Sequence, residues 1–321
     1  MLKSESDVIG IDALSEAAKK LEAEIAKVIV GQNEVIRSII ISIFANGHSL
    51  LVGVPGLGKT LLVNTIAKAL GLNFNRIQFT PDLMPSDIVG SEILGEDRVF
   101  KFVKGPVFTN VLLADEINRT PPKTQAALLE AMQEKKVTNS GKSLSLPSPF
   151  FVLATQNPID QEGTYPLPEA QLDRFMFNIW VDYPSFDEEL EVVKLTTSDI
   201  FSEVNTVLTS EEIKNFQELI RRIPVADNVL EYAVKLAVKT RRESELATHN
   251  TREYLTWGAG PRASQYLVLG AKAHAALNGK YSPDIEDVKA VAMPILRHRI
   301  MRNYKAEADG ISLDQIIKSL L

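Results

Sequence analysis

The stretch Gly53-Val-Pro-Gly-Leu-Gly-Lys-Thr60 decides the fold. It has the spacing G-x-x-x-x-G-K-[ST], and it stands between an apolar run, Ser49 to Val52, and a helical pattern over residues 60–70 with Leu62, Ile66 and Leu70 on one face. Phosphate groups need backbone N–H groups converging at a helix N-terminus, and glycine lets the backbone approach without a Cβ clash. Lys59 is placed to reach β- and γ-phosphates, and the Thr60 hydroxyl to bind Mg²⁺. Gly53, Pro55, Gly56, Leu57, Gly58 and Leu61 complete the expected nucleotide contact. The plainer reading, a glycine-rich turn without a ligand, loses weight because both flanking elements are of the required type.

Outward from the loop, Val111-Leu-Leu-Ala-Asp-Glu116 reads as an apolar strand ending in two carboxylates, at the edge where α/β sheets bind ligands. Asp115 suits the shell of a Mg²⁺ ion, and Glu116 suits activation of an attacking water. Phe150-Phe-Val-Leu-Ala-Thr-Gln-Asn157 reads as a neighbouring strand. Asn157 suits a γ-phosphate or a water, and equally the start of an Asn-Pro turn. Arg174 and Arg262 are candidates to stabilise developing negative charge. Surface ion pairs are the commoner use of such residues.

Short apolar runs at residues 49–52, 76–79, 111–114 and 150–155 alternate with amphipathic segments between about 35 and 180, the pattern of an α/β domain with a largely parallel sheet. A helix is expected to follow Thr120 and Pro121, turning Ala127, Leu128 and Met132 toward the sheet. Two hairpins interrupt it, one around Gly95, Glu96 and Asp97, the other around Asn139, Ser140 and Gly141. After Tyr183 and Pro184 the pattern is helical, which places a boundary between residues 1–184 and 185–321. Ser185 with Glu188, and Thr209 with Glu212, have capping-box spacing. Asp227 is expected to cap a helix with Leu230, Val234 and Ala237 inward, and residues 243–256 read as a polar connection. Helices are expected over 261–279 and after Pro283.

The composition bounds the partners. The 321 residues are 45% apolar and contain no cysteine, which excludes disulfides and thiol chemistry. The 35 Lys and Arg against 41 Asp and Glu leave a net charge of −6, which gives no reason to expect nucleic acid as partner. No stretch is long and apolar enough to span a membrane, and the N-terminus lacks a secretory layout, so a cytoplasmic location is expected. His48, His249, His274 and His298 lack metal-ligand spacing.

At these residues the sequence resembles the AAA+ ATPases, and among them the MoxR family, from Val28 to about Arg299. The matching stretches are Ile29-Val-Gly-Gln32, Arg76-Ile-Gln-Phe-Thr-Pro-Asp82 with Pro85-Ser-Asp87, Leu113-Ala-Asp-Glu-Ile-Asn-Arg119 with Pro121-Pro-Lys-Thr-Gln125, Ala154-Thr-Gln-Asn-Pro158 with Gln161-Glu-Gly-Thr-Tyr-Pro166, and Gly260-Pro-Arg262. The resemblance implies an AAA+ P-loop core, an all-helical lid, and ATP with Mg²⁺ as ligands. It places Gly31 and Gln32 near the adenine, Asn157 at sensor 1 and Arg262 at sensor 2. Arg174 falls where such proteins carry an arginine finger for a neighbouring subunit, so it implies a homo-oligomer, a hexameric ring. Removing such a finger costs about 10³ to 10⁵ in rate. The hairpins resemble inserts that approach a central pore. Relatives act as chaperone-like remodelling ATPases on protein clients, often with a von Willebrand factor A domain partner, in metal insertion or complex maturation. One departure is Gly258-Ala-Gly-Pro-Arg262, where Gly-Ala-Ser-Pro-Arg is the expected form. Two rival readings are a nucleic-acid motor of the MCM type, favoured by Lys101, Lys104 and Lys142 but offset by Glu92, Glu96 and Asp97, and a slow nucleotide-dependent scaffold.

Overall fold

The computed structural model describes residues 5–96, 98–139, 141–159, 163–198 and 202–321. Asp97, Ser140, Gln161 and Glu162 lie outside them. The chain opens with two helices, α1 (Glu5–Ala26) and α2 (Asn33–Phe44). In α1 the residues Ile11, Leu14, Ala18, Leu21 and Ile25 recur at helical spacing and all are buried. The strand β1 (Ser49–Val52), the phosphate loop, helix α3 (Lys59–Ala69) and strand β2 (Phe74–Gln78) follow. Gly71, at φ +61, ends the α3 segment in the left-handed conformation that glycine adopts without strain.

Helix α4 (Pro85–Val89) leads into a hairpin of β3 (Gly90–Leu94) and β4 (Phe100–Lys104), and the chain returns to the sheet as β5 (Val111–Asp115). A short turn of 3-10 helix, residues Ile117–Arg119, precedes α5 (Pro122–Glu134). The second hairpin, β6 (Lys136–Asn139) with β7 (Lys142–Ser145), precedes β8 (Phe151–Gln156). Helix α6 (Glu169–Leu172) then leads to β9 (Phe177–Trp180). These strands form a five-stranded sheet in the order β2-β5-β8-β1-β9 with every neighbouring pair parallel.

Alternation along the strands sorts the core. Leu51, Val111, Leu113, Phe151 and Leu153 face one side, where they join α1, α2 and α3. Leu50, Leu112, Ala114, Val152 and Ala154 face the other, against α5 and Phe175. A fully buried side chain of this size contributes about 1.5–3 kcal/mol. Leu62, Ile66 and Leu70 are buried and Ala127 is half-buried, as the spacing predicts. The strand β9 has no counterpart in the sequence reading. Its residues Phe177 and Ile179 are nevertheless core residues of the α1 side.

The C-terminal part comprises α7 (Phe186–Thr196), α8 (Ser210–Arg222), α9 (Asp227–Lys239), α10 (His249–Tyr254), β10 (Leu255–Trp257), α11 (Pro261–Leu277), α12 (Ile285–Leu296), β11 (Met301–Arg302), α13 (Tyr304–Ala308) and α14 (Leu313–Lys318). The capping boxes of Ser185 with Glu188 and of Thr209 with Glu212 are both formed. Three expectations are corrected here. Ala226 rather than Asp227 holds the N-cap of α9, and Asp227 sits in its first turn, where its charge still suits the helix dipole. The buried stripe of α9 is Val229, Ala233, Leu236 and Ala237, while Leu230 and Val234 are 37% and 48% exposed. Apolar residues surround most of that helix, so two stripes fit the period and contact with α11 and α12 selects one. The polar stretch 243–256 contains α10 and the start of β10, and β10 pairs antiparallel with β11, a short ribbon within the helical lid.

The α1 side of the sheet and the C-terminal helices share one apolar cluster: Leu267 and Ala271 of α11 and Val291 and Ile295 of α12 belong with Leu14, Ile36 and Leu51. Among the described residues no helix is long and apolar enough to cross a membrane.

Candidate active site

Strand register brings the first half of the site together. Gln78 lies opposite Asp115, and Val52 opposite Gln156, so the ends of β2, β5, β8 and β1 form one row. The Gly53 N–H donates to Gln156 O at 3.2 Å, which seats the loop beside Asn157. A Cβ on Gly53 would lie 2.5 Å from Val181 O, so only glycine fits. Gly56 and Gly58 have φ of +88 and +68 and open space around a notional Cβ; here backbone conformation, not crowding, selects glycine.

Lys59 folds back over the loop, donating Nζ to Gly53 O and, at 3.1 Å, to Val54 O. Burial lowers its pKa, and the nearby carboxylates of Asp115 and Glu116 oppose that shift. The ammonium therefore lies against two carbonyls of the loop itself.

Asp115 is held on both oxygens: Oδ1 accepts from Thr155 Oγ1 at 2.6 Å, and Oδ2 accepts from Arg76 Nη2 at 2.6 Å and Nε at 3.1 Å. Arg76 is 46% exposed and can swing away, which opens the carboxylate toward the loop. Glu116 leaves the strand with φ +56, a left-handed conformation that costs a non-glycine residue about 1–2 kcal/mol and gathers at functional sites. Its N–H donates to Thr155 Oγ1 at 2.8 Å, and its Oε2 accepts from Gln78 Nε2 at 2.9 Å and Arg119 Nε at 2.9 Å. Thr155 thus ties both acidic residues to β8. Gln78, Thr155, Arg76 and Arg119 escape the sequence reading as site residues, although Gln78 and Thr155 lie at or next to the ends of expected strands.

Asn157 is 8% exposed, and its Oδ1 accepts from Ile159 N–H at 3.1 Å, the turn that the plainer reading anticipates. The same turn holds it beside Gly53. Gly31 and Gln32 both adopt left-handed φ, +65 and +53, where α2 begins, and Gln32 Oε1 is buried without a hydrogen-bond partner. An unpaired buried acceptor is costly unless a donor meets it, and an exocyclic amine is such a donor.

Arg174 and Arg262 are elsewhere. Arg174 precedes β9, whose four residues separate it by about 13 Å from the loop edge, and its Nη1 donates to Leu129 O on α5 at 3.1 Å. It lines a cleft of about 550 Å³ with Gln171, Leu129, Glu130, Gln133 and Lys136. Arg262, at the start of α11, pairs through Nη1 with Asp173 Oδ2 at 2.8 Å, one residue from Arg174. Both arginines therefore stand at the end of the sheet opposite Lys59. Gly260, which stands where the family form has Ser, is unstrained: its φ is −77, and a Cβ there would meet nothing within 4 Å.

The residues gathered at the loop edge can cradle a polyphosphate, hold a hard cation through Thr60 and Asp115, and draw a proton from water through Glu116. No set of three or more His, Asp or Glu among the described residues is arranged to hold a metal by itself.

Comparison with known proteins shows the family and the fold. Residues 48–177 match the ATPase family associated with various cellular activities (AAA), and residues 247–320 match the AAA lid domain. The chain is 41% identical to Chaperone MoxR1 of Mycobacterium tuberculosis, over 97% of this chain and 84% of that one. It is 32% identical to Protein MoxR of Methylorubrum extorquens, over 89% and 88% of the two chains. A crystal structure from Cytophaga hutchinsonii, described as that of a candidate ATPase, matches with a TM-score of 0.92 at 43% identity, over 100% of this chain and 98% of the other.

Proposed function

The chain belongs to the MoxR family of AAA+ ATPases, and from that premise we propose that it binds ATP with Mg²⁺ at the loop edge, hydrolyses it in a homo-oligomeric, hexameric ring, and remodels a protein client. A cytoplasmic setting, a partner with a von Willebrand factor A domain, work in metal insertion or complex maturation, and a division of the chain near Tyr183 belong to the same reading. One observation carries it: the loop, Lys59, Asp115, Glu116 and Asn157 share one edge of the sheet, while Arg174 and Arg262 stand at the other.

In this reading Lys59 exchanges the carbonyls of Gly53 and Val54 for phosphate oxygens, and the glycine N–H groups close around them. Thr60 and Asp115 would hold Mg²⁺, which would supply positive charge against the phosphates. Gln32 Oε1 gains a donor from the adenine amine, and Pro55, Leu57 and Leu61 border the nucleotide. Glu116, oriented by Gln78 and Arg119, accepts a proton from the attacking water, and Asn157 orients that water. Among the described residues the cations at the loop edge are Lys59, and Arg76 and Arg119, which are paired with Asp115 and Glu116; charge developing on the γ-phosphate calls for a further one. A second copy supplies it through Arg174, with Arg262 beside it.

Two variants test the assignment. Lys59→Ala should abolish nucleotide binding. Glu116→Gln should retain ATP and lose about 10²- to 10⁴-fold in turnover, the usual contribution of a general base. Normal turnover by Glu116→Gln would remove Glu116 from the mechanism.

A further inference from the structure

Asp173 stands at the junction of three arginines with different surroundings. Arg299, in the turn after α12, has a side chain only 1% exposed, and its Nε donates to Asp173 Oδ1 at 2.7 Å. Its two other nitrogens donate to the carbonyls of Ile295, Met176, Asp173 and Phe175. His298 Nε2 donates to Phe175 O at 2.9 Å, so consecutive residues of one turn grip the segment that carries Arg174. The second oxygen of Asp173 holds Arg262 at 2.8 Å, and the Tyr266 hydroxyl of α11 reaches Arg174 O at 3.4 Å. The Arg299 guanidinium also lies over the Tyr266 ring, 5.1 Å from its centroid.

A buried guanidinium with a fixed set of carbonyl acceptors is a rigid anchor, because each bond lost would leave an unpaired buried donor. Asp173 extends that anchor outward: one oxygen is fixed by Arg299, so the other presents Arg262 in a set direction. The neighbouring Arg174 backbone is pinned on both sides, at the carbonyls of Asp173 and Phe175.

We propose that Asp173, anchored by Arg299, is a positioning residue that sets Arg174 and Arg262 for the nucleotide of a neighbouring copy, and so ties that pair to the helices α11 and α12. The proposal rests on the reading above that both arginines act between copies. It makes the C-terminal helices the element that decides whether the next subunit's site is complete, since Arg299 and Arg262 both come from them.

The test uses full-length rings with ATP and Mg²⁺. Asp173→Asn keeps the shape of the side chain and removes its charge. It should lower kcat on the order of 10- to 100-fold, part of the effect of removing a finger, with the KM for ATP within about twofold of the parent. Mixed rings of Asp173→Asn and Glu116→Gln, shown to contain both chains, should regain turnover, because each Glu116→Gln copy offers an intact Asp173 and Arg174 to an intact Glu116 next door. A merely structural defect in the Asp173→Asn copy would not be repaired in this way. If Asp173→Asn does not fold, Asp173→Glu, which keeps the counter-charge of Arg299 but is one methylene longer, is measured by the same two readouts. Parental kcat in the folded variant, or low kcat that mixing leaves unchanged, overturns the proposal. Mixed Arg174→Ala and Glu116→Gln rings run alongside separate the two claims: if those recover and the Asp173 mixture does not, only the positioning role falls, and if neither recovers, action between copies falls first.

Discussion

The two ends of the central sheet are built on opposite plans. At the loop edge, adjacent strand ends deliver Gly53, Asn157, Asp115 and Gln78 in one row, and the acidic groups are partly exposed and held by groups that can move, such as Arg76. At the far edge, Asp173, Arg262 and Arg299 meet from positions 89 and 126 residues apart, around buried histidines and a buried guanidinium. In the proposed reading the first end is a receptacle that opens for a ligand. The second is a fixed mount: Asp173 joins Arg262 to the buried Arg299, and Arg174 lies next to it in the chain. In the proposed reading, a chain with both ends completes its chemistry when the far edge of one copy meets the loop edge of the next.

The largest effect that sharpens this contrast is expected from the far edge. Arg174→Ala should lower kcat by about 10³- to 10⁵-fold while ATP affinity stays near that of the parent, because the residue touches nothing at its own loop. A nucleotide-binding titration beside a steady-state rate separates the two quantities. Loss of ATP affinity in proportion to rate would place Arg174 at its own loop and undo the contrast.

Acid should break the far edge. His48, at the start of β1, accepts from Val152 N–H through Nδ1 and so donates Nε2 to Met132 O, which fixes the neutral ring. Burial pushes its pKa down to about 4. His298 is lowered too, by burial and then by Arg299. Between about pH 6.5 and about 4 the unfolded chain takes up a proton at His48 that the folded chain refuses, so this contribution to stability is lost as pH falls. His48 alone should remove about 3 kcal/mol across that window. Thermal unfolding followed from neutral pH to pH 4 reads the loss, and His48→Gln should flatten the curve. An unchanged slope in that variant would show that His48 does not carry the effect.

The smallest effect concerns the turn before Arg262. Gly260 occupies the N-cap of α11 with room for a side chain, so Gly260→Ser supplies a cap and should stabilise the fold by only a few tenths of a kcal/mol. A drop in stability would mean that the turn uses the freedom of glycine after all.

The same contrast explains what the sequence discloses. The loop edge is legible because its residues sit at the ends of contiguous apolar runs, and strand alternation fixes where they point. Gln78 and Thr155 pass unnoticed because a polar residue at a strand end resembles any solvated terminus until the register sets it against Glu116 or Asp115. β9 is too short, and its lead-in through Asp173 and Arg174 too polar, to stand out. At the far edge Arg174 and Arg262 stand out as candidates, but their mount is silent in sequence: nothing local to Arg299 or Asp173 indicates that they meet. In α9, apolar residues on two stripes leave the inward face to be chosen by α11 and α12.

Mixing Arg174→Ala with Glu116→Gln tests the central claim most directly. Each variant alone should be nearly inactive, one for want of a cation and the other for want of a base. In rings shown to contain both, an intact Glu116 meets an intact Arg174 at some interfaces, and ATP turnover should return. Continued silence in such rings would contradict the claim that the two ends of the sheet complete one another between copies.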